Sequence, residues 1–192
     1  MTSPSQTPRR RSSTDPVTAY AQAVVKGKKV AGPHVRDACK RHLDDLEHGA
    51  ERGLRFDKTA ALRAIDYFRH VLRLNGGEFE NQPFELLDWQ QFVIGSLMGW
   101  KGSDGWRRFR VAYIETAKGS GKSPLAAGLG MYGLTSDDEP RAEIYAAATK
   151  KDQAMVLFRD AVAMYQLAPA LKARLKSSGT GENVWNLAYV EK

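Results

Sequence analysis

Eight consecutive residues, Thr116-Ala117-Lys118-Gly119-Ser120-Gly121-Lys122-Ser123, bring two glycines, two ammonium groups and three hydroxyls into a span that can close around one anion. Except at the first position the spacing is that of a P-loop, G-x-x-x-x-G-K-[ST], with Thr116 standing where the first glycine belongs. Gly119 and Gly121 let backbone N–H groups turn inward on a phosphate, and a following helix aims its positive end at the same point. Lys122 supplies a mobile ammonium for the outer phosphates. The Ser123 hydroxyl is a ligand for the magnesium that accompanies a nucleoside triphosphate. The alternative is a Gly/Ser turn with a solvated lysine, so the flanking elements decide between the two.

Before the loop, 109–115 reads Phe-Arg-Val-Ala-Tyr-Ile-Glu, an apolar strand. After it, Pro124 suits a first helical turn, and 125–132 continues small and apolar, as a helix packed on a sheet requires. An acidic turn at 135–140 leads to a second apolar run, 142–148, and a long helical pattern follows from Thr149 with Ala154, Leu157, Phe158, Ala161, Val162 and Tyr165 on its faces. That helix is expected to fade at 176–179, with one more strand at 184–190. Strand and helix alternating in this way predict an α/β fold, a partial P-loop NTPase parallel sheet with flanking helices and right-handed crossovers.

Upstream, 15–77 is helical in period throughout and forms an all-helical N-terminal arm. Asp15-Pro16 opens one helix that Gly27 closes, Pro33 opens a second that Gly49 closes, and a third follows Asp57 with Ala61, Ile65, Phe68 and Leu72 on one face. Nothing catalytic converges on them. Residues 1–14 are polar, carry Arg9-Arg10-Arg11 and lack an apolar stretch, so they read as a disordered basic tail and not as a secretory signal. The domain reading is therefore 1–14 tail, 15–77 helical region and 78–192 P-loop domain, incomplete at its C-terminus.

Composition removes several classes of function. A single cysteine, Cys39, excludes an internal disulfide and a cysteine zinc site, and its place on a helical stripe makes it a small core residue. His34, His42, His48 and His70 show no metal spacing, and no run approaches the length of a membrane span. The net charge of +7 favours a polyanionic partner, although the tail arginines supply three of those charges. Just before the P-loop strand, Asp88 can cap a helix in which Gln91 completes a capping box. Gln90 can offer an adenine edge both a donor and an acceptor, or can be a plain helix-surface amide.

The ordered series Gln82-Pro83-Phe84, Leu87-Asp88-Trp89-Gln90-Gln91, Gly99-Trp100, the P-loop strand with its loop, and Glu143-Ile144-Tyr145 to Gln153-Ala154 resembles the ATPase domain of the large terminase subunit of tailed bacteriophages. That resemblance covers 80–170 and implies ATP and Mg2+ as ligands, with Gln90 in an adenine-binding element and Lys118 where relatives often place an arginine that senses the γ-phosphate. Relatives commonly depart from the first-glycine pattern, which accommodates Thr116. It further implies a motor that drives double-stranded viral DNA into a procapsid, with the portal protein and small terminase subunit as partners, homo-oligomerisation in the full motor, and a place in the host bacterial cytoplasm without membrane attachment. An apolar strand ending in an Asp-Glu pair, which such a motor needs, is not found after Ser123. Asp137-Asp138-Glu139 lies in a turn, and Glu191 is a single carboxylate. The chain is thus expected to be the N-terminal part of a terminase that binds ATP and is inactive alone, without the nuclease domain. The alternative is a non-catalytic DNA-binding or assembly module of the packaging machinery, and a small P-loop kinase ranks below both.

Overall fold

The computed structural model describes residues 15–190. The expected basic tail, 1–14, and the carboxylate candidate Glu191 lie outside the described residues.

Three helices begin where their capping chemistry requires. Asp15 accepts a hydrogen bond from Thr18 N at 2.8 Å and opens α1 (Pro16–Val25). Pro33 occupies the first turn of α2 (Pro33–His48), and Asp57 accepts from Ala60 N at 2.9 Å to open α3 (Lys58–Val71). A two-residue strand, β1 (Arg55–Phe56), pairs antiparallel with β2 (Trp100–Lys101), which directly follows α4 (Asp88–Gly99). Helix α4 packs on both α1 and α3, so the segment leading to the phosphate loop is built into the helical core.

The centre of that core is polar as well as apolar. Trp100 Nε1 donates to His42 Nδ1 at 3.0 Å, which leaves Nε2 to carry the ring proton toward Thr18 Oγ1 at 3.1 Å. Phe56, Phe92 and Trp100 meet the imidazole edge to face. Burial pushes the His42 pKa down to about 4, against the upward pull of Asp15 and Asp45. Cys39, fully buried beside this network, has its thiol pushed up to about 11 by the same desolvation and is a core residue.

Helix α5 (Lys122–Thr135) lies across α3 at one close point. A Cβ on Gly128 would sit 2.4 Å from Phe68 Cε1 and 2.9 Å from Leu72 Cδ1, both on fully buried side chains, so no larger residue fits without displacing the core. The C-terminal end is held by Tyr67 OH, 2.7 Å from Thr135 Oγ1, and by Arg63 Nε donating to Tyr132 OH at 3.3 Å. Then come α6 (Lys151–Leu167), which packs on α5, a single turn α7 (Pro169–Lys172), and an antiparallel hairpin of β3 (Leu175–Ser178) with β4 (Asn186–Tyr189).

Helices and strands are mixed, as an α/β class requires, but among the described residues both sheets are two-stranded and antiparallel. Among the described residues the expected strands at 109–115 and 142–148 belong to no ladder, with Val111, Tyr113 and Tyr145 exposed. The long helix does not reach 176: Pro169 has no N–H to continue it, and 175–178 pairs with the strand that was expected at 184–190.

Two consequences are measurable. Gly128→Ala is expected to lower unfolding free energy in urea by about 1–3 kcal/mol through overpacking, against a helix-propensity gain of at most about 1 kcal/mol. Gly130→Ala, whose Cβ would meet only Ile144 Cγ2 at 3.3 Å, should be close to neutral. Because the folded state holds His42 near 4 and the unfolded chain near 6.5, the unfolded state binds the extra proton between those values. Stability should therefore be full above about pH 6.5 and fall by roughly 3 kcal/mol as pH drops toward 4, a component that His42→Phe removes in the same urea titrations.

Candidate functional site

The loop 116–121 enters α5 through two residues in left-handed conformation, Gly119 at φ +82° and Gly121 at φ +77°. Nothing lies within 4 Å of a Cβ built on Gly119, so the loop is uncrowded at that residue. Gly121 is the N-terminal cap position, and its carbonyl accepts from Leu125 N at 3.1 Å, which starts the helical ladder. The N–H groups of the first turn have no partner within the helix and carry its positive partial charge.

Side chains complete the loop. Lys122 Nζ folds back across it and donates to the carbonyls of Thr116 at 3.3 Å and Ala117 at 3.4 Å. Thr116 Oγ1 and Ser120 Oγ are hydrogen-bonded across the turn, and Ser120 Oγ lies 2.7 Å from the Ala117 carbonyl. A threonine in place of the first glycine therefore has a physical use here: its hydroxyl ties the two shoulders of the loop together. Ser123 is half-buried in the first turn of α5, whereas Lys118 is exposed.

Gln90 comes to the same place from α4. It is only 3% exposed, and its Oε1 accepts from Leu87 N at 2.9 Å. The helix start is thus shifted one residue from the expected capping box: Leu87 occupies the cap position, Gln90 closes back on it, and Gln91 Nε2 instead donates to Leu86 O at 2.8 Å. Asp88, the expected cap, is drawn to Lys29 at 2.5 Å. A Cβ on Gly121 would lie 3.6 Å from Gln90 Nε2, so the amide abuts the phosphate loop itself.

Braces that the sequence reading passed over hold this assembly. Arg107 pairs with Asp137 in the turn after α5, and Arg108 pairs with the buried Asp45, which Arg52 also contacts. Arg108 also lies over the rings of Trp100 and Phe109, 5.7 and 5.0 Å from their centroids. An Arg-Arg dipeptide beside two aromatic residues was the only signal for these roles. Among the described residues no group of three or more His, Cys, Asp or Glu side chains could hold a metal, and no helix is long and apolar enough to cross a membrane.

Residues 88–180 match the terminase large subunit ATPase domain. The matched span opens on the first residue of α4 and includes Gln90, the whole phosphate loop, α5, α6 and β3. It supports the N-terminal ATPase region of a phage large terminase, as the ordered motifs indicated. No curated protein and no solved structure gives a significant match.

Left-handed backbone at Gly121 makes a graded prediction for the loop. Gly121→Asn should retain most of the stability, because asparagine tolerates this region, whereas Gly121→Val should cost at least about 1–2 kcal/mol in urea unfolding from backbone strain alone.

Proposed function

We propose that the loop 116–123 binds ATP with Mg2+ and that this is the nucleotide grip of a DNA-packaging motor. The observation that carries the reading is the Lys122 ammonium folded over the Thr116 and Ala117 carbonyls, at the positive end of α5 and inside a loop whose two glycines are left-handed. Such an ammonium exchanges two weak carbonyl contacts for the outer phosphates with little movement. Backbone N–H groups of 119–123 and the helix end receive the remaining phosphate charge.

The residues present fit the metal as well as the nucleotide. Ser123, on the first turn beside Lys122, is the side chain that would hold Mg2+, and the ion would supply positive charge to offset that of the phosphates. Thr116, Gly119, Ser120 and Gly121 shape the loop, and Lys118, exposed at its rim, is free to swing toward a γ-phosphate as a point charge, without the planar fork of an arginine. Asp88 is paired with Lys29, and the acids of the turn after α5 lie at the opposite end of that helix from the loop, with Asp137 paired to Arg107 and Asp138 to Arg63. The role proposed for these residues is therefore holding the triphosphate, and not orienting the water that attacks it.

The segments 109–115 and 142–148 are proposed as strands of the motor's parallel sheet, supported by their predominantly apolar character. By the family's nature the wider partners are double-stranded viral DNA, the portal protein and the small terminase subunit, in an oligomeric motor in the host cytoplasm.

Calorimetric titration of the chain with MgATP tests the grip. Lys122→Ala should abolish the binding heat while leaving the circular-dichroism melt unchanged, because Lys122 makes only exposed contacts to loop carbonyls. Identical isotherms for the two proteins would remove the loop as the nucleotide site.

A further inference from the structure

Gln90 is buried, yet half of its hydrogen-bonding capacity is unspent. Its Oε1 is fixed by Leu87 N, and because the amide is planar this also fixes the direction of the NH2 group. That group abuts Gly121, the residue from which α5 and its inward N–H groups start. Among the described residues Nε2 has no hydrogen-bond acceptor, although the side chain is 3% exposed. Reading adenine needs a donor and an acceptor together, and here the acceptor is occupied by the helix cap. A donor with no protein acceptor, on a residue that is almost wholly buried and set against an anion-binding loop, matches a phosphate oxygen.

We infer that Gln90 donates through Nε2 to the phosphate chain held by 116–123, so that it selects for phosphate and not for the base. This rests on the nucleotide reading above. Gln90 then acts beside Lys122 and the loop N–H groups, and its cap to Leu87 N sets the angle of the donor. The helix α4 start and the phosphate loop become one unit.

The test compares wild type, Gln90→Glu and Gln90→Ala in calorimetric titrations with Mg-tripolyphosphate, MgATP and MgGTP, with thermal melts alongside. Gln90→Glu keeps an oxygen for Leu87 N and replaces the donor by an anionic oxygen. It is expected to weaken all three ligands in parallel, by roughly tenfold or more, the scale of a hydrogen bond to a charged group. Gln90→Ala should lose less affinity than Gln90→Glu, even though it loses the cap and melts lower. A residue that serves only as a cap gives the reverse order, which overturns the inference. So does a loss confined to ATP with tripolyphosphate and GTP unchanged, which assigns Gln90 to the base, and so does an unchanged affinity for all three. If wild type binds none of the three ligands, the nucleotide reading falls and this inference falls with it.

Discussion

Helix α5 can rest on α3 only because position 128 carries no side chain, and the position of the phosphate loop follows from that contact. A helix start can grip an anion only if its axis is fixed, since a displacement of an ångström moves every N–H group it offers. Phe68 and Leu72 set the height of α5 over α3 at Gly128. The Tyr67–Thr135 hydroxyl pair and the Arg63–Tyr132 contact then stop rotation at the far end. Gln90 meets the near end at Gly121 from a helix that is itself packed on α1 and α3. The loop is thereby referred to the same core from both ends of its helix.

Charge reinforces the arrangement where burial makes it worth most. Asp45 has only 1% of its side chain exposed and is held by Arg52 and Arg108, while Arg108 also covers two aromatic faces. Losing one partner of a buried ion pair leaves the other charge desolvated, at about 3–5 kcal/mol, so these arginines are far from interchangeable with surface lysines. Arg107, the next residue back, reaches Asp137 beyond the end of α5. The short connection from β2 into 109–115 therefore joins the helical core, the far end of α5 and the lead into the phosphate loop. The exposed pairs, Lys29 with Asp88 and Arg69 with Glu85, contribute far less to stability.

Local chemistry made the helices legible. Asp15-Pro16, Pro33 and Asp57 each carry a cap or a first-turn proline whose effect is confined to a few residues, and all three helices start there. The phosphate loop was legible for the same reason, because glycine placement and a lysine at a fixed offset are local facts. What depended on tertiary choice was not. Leu87 has no capping oxygen, so the sequence favoured Asp88, but the pull of Lys29 on Asp88 and the reach of Gln90 back to Leu87 N moved the cap by one residue. A strand at 184–190 was expected and β4 lies within it, but its partner β3 was hidden because Leu-Lys-Ser-Ser is a weak strand signal that gains meaning only opposite Asn186–Tyr189. His42, for which the sequence offered only the absence of metal spacing, proved to be the polar centre joining α1, α2 and β2, a role fixed by partners distant in sequence.

The two segments without regular structure, 109–115 and 142–148, bear on how stiff the loop can be. Strands in a parallel sheet are fixed by ladder hydrogen bonds on both edges, and in a P-loop fold the strand before the loop is normally its rigid entry. Here 109–115 makes no backbone hydrogen bond among the described residues, and Val111 and Tyr113 are exposed. Peptide groups in such a segment are satisfied by water or by another strand. Until another strand pairs with 109–115, the entry side of the loop therefore contributes little to its geometry. Thr116 and Ser120, clasped across the turn, and Lys122, folded onto the two carbonyls that begin it, supply locally the closure that a sheet would otherwise impose. A glycine at 116 would leave the first shoulder of the loop untied, so threonine there is consistent with a loop held from its helical side.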